Sequence, residues 1–517
     1  VYFTGGQPEG SWLEEREEVG EAMTVATSED EDLWVGLDLG TQSVRALAVS
    51  GSGRVLGSGS RPLASRRDGD RHEQDAEQWW EALAAASRTA LSGIAAERVR
   101  GVATDATSGT VLLVDRAGSA LTPALMYDDS RASDQAQRVN EAGESLWSSL
   151  GHRPQAEWAL PKVLWMLEEW PELARGALLA HQPDYITRRL CGQEVAADSS
   201  HALKTGYDLV HDSWPHELLD GLGVPEGLLP AVVRSGLPLG EVCAEAARHT
   251  GIPAGTPVIA GMTDGCAAQL AAGAVAEGSW NSVLGTTLVL KGVSSELIRD
   301  PNGVLYSHRA PDGGWLPGGA SSTGAGVLSA SFPEHDLDEL GRRAAGHEQT
   351  AALAYPLLGR GERFPFAAPD AEGFLVGEPA DEAEHFAALL QGVAYIERLC
   401  FDYLSLLGAP IDGELRLTGG GTRSRYWCQL RADVLGRPVR LLENSESAFG
   451  MAVLAASAGR STAEVAAEMV QVREVIAPRP DREQHFDESY VRLVGELEDR
   501  GWLDASVADH ARAGAGA

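Results

Sequence analysis

One pattern occurs twice in this chain and constrains its fold more than any other. Residues 33–50 read L-W-V-G-L-D-L-G-T-Q-S-V-R-A-L-A-V-S: an apolar run into Asp38, a glycine-hydroxyl turn, and a second apolar run from Val44. Residues 280–292, W-N-S-V-L-G-T-T-L-V-L-K-G, repeat the theme about 245 residues later. Apolar runs on either side of a tight turn predict a strand–turn–strand hairpin. A glycine in the turn removes a Cβ and leaves backbone amides open to an anion. Each hairpin alone also reads as an ordinary polar turn. As a pair they predict two domains of one ancestral topology, each presenting a phosphate-sized turn to a shared cleft.

The length of 517 residues agrees, since it exceeds what one core supports. No apolar run reaches the 18 residues of a membrane span, and no signal peptide opens the chain, so a soluble cytoplasmic protein is expected. Residues 1–32, with E-E-R-E-E and S-E-D-E-D, read as a disordered acidic leader. The five cysteines form no C-x-x-C pair, and no two histidines fall at H-x-x-x-H spacing, so neither disulfide framework nor histidine metal site is expected. The histidines read singly as surface or packing residues. A formal charge of -33 argues against nucleic acid or an anionic membrane as partner. It leaves room for a small sugar or phosphate ligand, with the protein a monomer or homodimer. Lysine occurs only at Lys162, Lys204 and Lys291, which reads as compositional bias rather than a site.

Four further stretches carry chemistry. Residues 98–115 set Asp105, Thr107, Ser108 and Gly109 between two apolar runs, as a ligand-facing loop would; a turn closed by Asx and Ser/Thr bonds reads the same. Residues 126–132, M-Y-D-D-S-R-A, place Asp128, Asp129 and Arg131 beside Tyr127. Residues 257–269 run from a short strand into Asp264, Gly265 and a small-residue helix. There a carboxylate is held ionised by free amides and the helix dipole; it is a positioned base if it faces a cleft, and a plain N-cap otherwise. Residues 415–441 give strand, Gly419–Gly421, a polar turn, helix and strand, where a nucleotide can lie against bare backbone. This is not the dinucleotide fingerprint, and no G-K-[ST] occurs. Helical spacing of apolar residues predicts helices over 74–91, 157–170, 181–190 and 386–407. Residues 356–377 read as an ordered surface loop, and the chain from 504 as a frayed tail.

Two hydroxyl-and-amide turns, a glycine turn and a strand-end Asp are the parts of a phosphoryl-transfer site, where positioning and electrostatics do most of the catalysis. Asp264 is placed to accept the proton of an attacking sugar hydroxyl, and Asp38 to face magnesium or its waters.

In this order the pieces D-L-G-T-Q-S-V-R, M-Y-D-D-S-R-A, G-M-T-D-G, L-G-T-T, G-E-R-F-P and L-T-G-G-G-T-R-S-R-Y-W-C-Q closely resemble the FGGY carbohydrate kinases. The resemblance covers about residues 33–505. It implies an α/β, two-domain actin/hexokinase-like ATPase fold of ribonuclease H-like domains around a central cleft. It implies an N-terminal sugar-binding domain over 33–276, a C-terminal nucleotide-binding domain over 277–505, and a flexible tail over 506–517. It also implies Asp264 as general base, with ATP and Mg2+ as cofactors and Asp38 at the metal. Gly40, Thr41, Gln42, Ser43, Gly285, Thr286 and Gly324 would meet phosphate, and Gly420, Gly421, Thr422 and Ser424 the adenosine.

Typical xylulose kinases carry Q-M-H-G where this chain has A-T-S-G (residues 106–109), and D-A-T-S-G-T is closer to ribulose-kinase-like members. The expected reaction is therefore 5-phosphorylation of D-ribulose, with Asp105, Thr107, Ser108 and Asp129 as sugar contacts. D-xylulose, a polyol or acid sugar, and a non-sugar actin-fold ATPase are the alternatives.

Overall fold

The computed structural model describes residues 31–515 apart from 349 and 483. The expected acidic leader lies outside the described residues except for Glu31 and Asp32. Leu33–Leu39 and Ser43–Ser50 pair antiparallel from Leu33↔Ser50 to Leu39↔Val44, so the first repeated pattern is a hairpin. Val55–Pro62 extends it on one side. On the other side Val99–Ala106 lies parallel to the first strand, followed by Pro257–Ile259, also parallel, and Pro238–Glu241 at the edge.

The second sheet repeats this plan. Trp280–Leu284 and Leu288–Gly292 form its hairpin, extended by Trp315–Ser321 and then Tyr306–Arg309. Leu415–Thr418 and Val439–Leu442 lie parallel on the far side, and Val472–Ile476 closes the edge. The echo in the sequence is thus an echo in topology. Each turn stands at the carboxyl end of its sheet's first strand, where open α/β sheets bind ligands. These central strands are buried on both faces, which is why they read as apolar runs rather than alternating ones.

Helix Ser447–Ala456 follows the second sheet in sequence yet seats on the first. Its small residues permit the approach: a Cβ on Gly36 would fall 1.7 Å from the Ala448 carbonyl oxygen, and one on Gly450 2.0 Å from that of Ala267. It therefore also packs against helix Asp264–Ala271, which carries the expected base. Behind the second hairpin, Arg431 and Glu397 form a fully buried bidentate pair, and Ser282 on strand Trp280–Leu284 donates to Glu397 at 2.6 Å.

The expected helices form as Ala76–Ala90, Ala159–Glu169, Gln182–Cys191 and Glu382–Leu406, the first capped by Asp75. Two expectations need correction. The 356–377 stretch is no loop: Leu353–Glu362 and Ala368–Val376 pair as an antiparallel hairpin. The tail expected to be flexible from 506 forms helix Ala505–Ala515 instead, because Val507, Ala508 and Ala511 are buried in the core beneath the second sheet. Among the described residues no helix is long and apolar enough to cross a membrane.

Candidate active site

The two turns close in the same way. Gly40 N–H donates to the Ser43 carbonyl at 3.1 Å, and Gly285 N–H to that of Thr287 at 3.0 Å. Gln42 and Thr286, at their tips, are exposed, while Gly40, Thr41, Ser43 and Gly285 are half-buried. Gln74 braces the first turn by donating to the Thr41 carbonyl at 2.7 Å. Gly324 braces the second: a Cβ there would lie 2.5 Å from the Thr286 carbonyl oxygen, and the amides of Ala325 and Gly326 donate to Gly285 and Thr286. Gly324 is therefore a support under the turn. The sequence gave no hint of Glu362, the buried carboxylate beside it. Glu362 accepts from Ser321 Oγ, Ser322 N–H, Thr323 Oγ1 and Tyr355 OH, fixing the segment that carries Gly324.

Asp38 stands just before the first turn, in register with Asp105 on the parallel neighbour. Asp105 is 0% exposed, and neither carboxylate oxygen has an ordinary donor among the described residues. Burial and the charges of Asp38 and Asp264 push it well above the usual carboxylate range, so it keeps its proton and shares it with Asp38. Burial pushes Asp38 up to about 6; the Asp105 hydrogen bond and Arg45 oppose this, and Asp264 and Glu446 add to it.

Asp264 opens its helix one residue after the cap Thr263, is exposed, and takes only the adjacent Gly265 amide, at 2.7 Å. The cap role thus falls to Thr263 and leaves the Asp264 carboxylate to a cavity of about 360 Å³. Ser108, Tyr127, Lys204, Lys291, Tyr306 and His308 also line it. Buried Lys162 ties two of its loops together, donating to the carbonyls of Gly109 at 3.1 Å and Met126 at 2.5 Å. Burial brings this lysine down to about 7, with Asp129 opposing.

Of the expected sugar contacts, Ser108 faces this cavity and three do not. Asp105 lies beneath Asp38. Thr107 is buried and hydrogen-bonded to Gln182 and Thr110. Asp129 is buried in an ion pair with Arg131 at 2.7 Å and accepts from the His72 amide. These polar groups hold the loops in place, and their polarity had suggested a ligand. The reading of lysine as bias is corrected too, since Lys204 and Lys291 line the cavity. His308, read as packing, joins them, and its Nδ1 lies 3.1 Å from Ser200 Oγ.

At the second sheet, Gly419–Gly421 leads into a short turn, with Gly420 exposed and Gly421 packed on Leu284. Thr422 Oγ1 donates to the Gly419 carbonyl, and Ser424 caps helix Arg425–Leu435 by accepting from Trp427 N–H at 3.2 Å. This brings the glycine turn beside Gly285.

The sequence matches the model of the FGGY family of carbohydrate kinases, N-terminal domain, over residues 33–271, and that of its C-terminal domain over residues 280–459. A xylulose kinase of Streptomyces coelicolor is 30% identical over 478 residues, covering 90% of this chain and 96% of the relative. A xylulose kinase of Bacillus subtilis is 27% identical, covering 82% and 87%. The crystal structure of xylulose kinase from Rhodospirillum rubrum superposes with a TM-score of 0.81 at 27% identity, over 90% of this chain and 99% of that one. The fold is the two-domain actin/hexokinase-like ATPase fold.

Proposed function

Since the chain belongs to the FGGY family of carbohydrate kinases, and is by that membership an ATP-dependent carbohydrate kinase, we propose that it phosphorylates a pentulose, D-xylulose ahead of D-ribulose, with Asp264 as general base. The names of the relatives move the acceptor from the D-ribulose expected from A-T-S-G to D-xylulose. The observation that carries the mechanism is Asp264: a carboxylate at a helix N-terminus, without an ion pair, facing a cavity of about 360 Å³.

In this reading residues 33–276 take the sugar and residues 277–505 the nucleotide. The free amides of the helix keep Asp264 anionic, so that it accepts the proton as the sugar oxygen attacks the γ-phosphorus. The amides and hydroxyls of Gly40–Ser43 and Gly285–Thr286 hold the phosphates, and Gly420, Gly421 and Thr422 border the adenosine. Ser108 and Tyr127 orient the sugar from the opposite wall. Asp38 would hold Mg2+. Its partner Asp105 has oxygens without an ordinary donor, and carboxylate oxygens suit this ion. Among the described residues no three His, Cys, Asp or Glu are grouped to cage a metal. That suits an ion which takes one or two carboxylates and leaves its other positions to phosphate and water. When bound it offsets phosphate charge.

The test is ADP release with ATP and Mg2+ over D-xylulose, D-ribulose, ribitol, arabitol and glycerol. D-xylulose should raise the rate at least ten-fold over the no-sugar control. A rate that no sugar raises contradicts the kinase reading, and a preference for D-ribulose reverses the order of substrates.

A further inference from the structure

Only three of the 42 Lys and Arg residues in this chain are lysines, and all three meet at one place. Lys162 ties the loops of Ser108 and Tyr127 from behind. Lys204 donates to the Ser108 carbonyl at 3.2 Å and stands 5.9 Å from the centre of the Tyr306 ring. Lys291, on strand Leu288–Gly292 of the other sheet, stands 5.6 Å from the centre of the same ring. Its stem lies over Gly318, where a Cβ would come within 2.8 Å of Cγ and 3.2 Å of Nζ.

Lys291 is 7% exposed and lines the cavity. Among the described residues neither Lys204 nor Lys291 has a carboxylate within 4.0 Å, and the Lys291 ammonium has no hydrogen-bond partner. A buried ammonium without a counter-charge is costly, and one aromatic face offsets only part of that cost. In a chain with 75 Asp and Glu, an acidic partner would be easy to supply. Instead, the third basic group between them, His308, is kept neutral: burial, then Lys291 and Lys204, hold its imidazole well below the usual range. The two ammonium groups are left uncompensated at a cavity wall. Residues 40–43 and 285–287 do not line this cavity, whereas Asp264 and Ser108 do, so the charge faces the acceptor rather than the triphosphate.

We propose that the preferred acceptor is a sugar carrying a carboxylate, an aldonate or keto-aldonate, whose anionic end is held by Lys291 and Lys204 on Tyr306 while a hydroxyl meets Asp264. This rests on the kinase reading above and narrows its substrate class.

The experiment compares D-xylulose and D-ribulose with D-xylonate, D-gluconate and 2-keto-D-gluconate, by ADP release and by calorimetric binding without ATP. At least one acid should exceed the pentuloses in kcat/KM ten-fold or more. In Lys291→Met, and separately in Lys204→Met, the ratio of kcat/KM for acid over pentulose should fall at least ten-fold with the KM for ATP unchanged. If the pentuloses are phosphorylated and no acid is, the inference is overturned while the kinase reading stands. Equal losses for acid and pentulose together with a raised KM for ATP would assign the lysines to the phosphates and overturn it as well. If no sugar raises ADP release, the kinase reading fails; calorimetric binding of an acid that is lost in Lys291→Met would still support the anion site, and no binding would end it.

Discussion

The two hairpin turns share strand order, closure and place in their sheets, yet their floors differ in charge. Two residues before Gly40 stands Asp38, paired in register with Asp105. Two residues before Gly285 stands Val283, paired in register with Thr418. One turn therefore lies over two carboxyl groups and the other over none. Their supports differ as well. The first strand rests on Val35, Leu37 and Leu39, all fully buried in apolar packing. The second is held through Ser282 by the buried Arg431–Glu397 pair. A duplicated scaffold thus gives one turn that can manage cations and protons, and one that can accept phosphate on backbone and hydroxyl groups without repulsion.

The largest effect is expected where the supports differ. Glu397→Ala strands Arg431 in the core, and breaking a buried pair in this way costs about 3–5 kcal/mol. Chemical denaturation should show that loss. Leu37→Ala, beneath the first turn, tests the apolar side of the comparison and should cost about 2–5 kcal/mol. A loss under 1 kcal/mol in Glu397→Ala would remove the buried pair from the account.

The difference in charge can be erased next. Val283→Asp gives the second turn the carboxylate of the first, and an added anion beside a triphosphate should raise the Kd for ATP about ten- to thirty-fold by calorimetry. Unchanged binding would mean that the bare floor of the second turn does not matter.

The smallest effect is one of pH. Folded Asp38 titrates at about 6 against 3.8 for an unperturbed aspartate, so between these values the folded chain binds a proton that the unfolded chain lacks. Stability should therefore be full near pH 3.8 as far as this group is concerned, and fall as pH rises through 6. Asp38→Asn should remove that slope, giving a gain of about 1–3 kcal/mol at pH 8 that vanishes near pH 4, read from melting temperatures across the range. A pH-independent difference would contradict the buried carboxyl pair.

The hairpins, the main helices and the position of Asp264 were legible because they rest on local periodicity, turn chemistry and small-residue spacing. The pairing of 353–362 with 368–376 was hidden by a Pro- and Gly-rich composition that reads as loop. Burial was harder to read. Asp105, Thr107 and Asp129 look like ligand contacts in a sequence, but in the fold they satisfy one another and the backbone. Lys204, Lys291 and His308 come from distant segments and meet only when the two sheets come together. Their one sequence signal was the rarity of lysine, which composition alone explained equally well.

The measurement that bears most directly on this division of labour is sugar-dependent ADP release by Asp264→Asn, alongside nucleotide binding by calorimetry. The variant keeps the shape of the helix start and loses the base. Its kcat should fall about 10³-fold, within the 10²–10⁴ range of general-base removal, while ATP binds as it does to the unaltered protein. Turnover within three-fold of the unaltered protein would contradict the assignment of Asp264 and with it the account of the cavity.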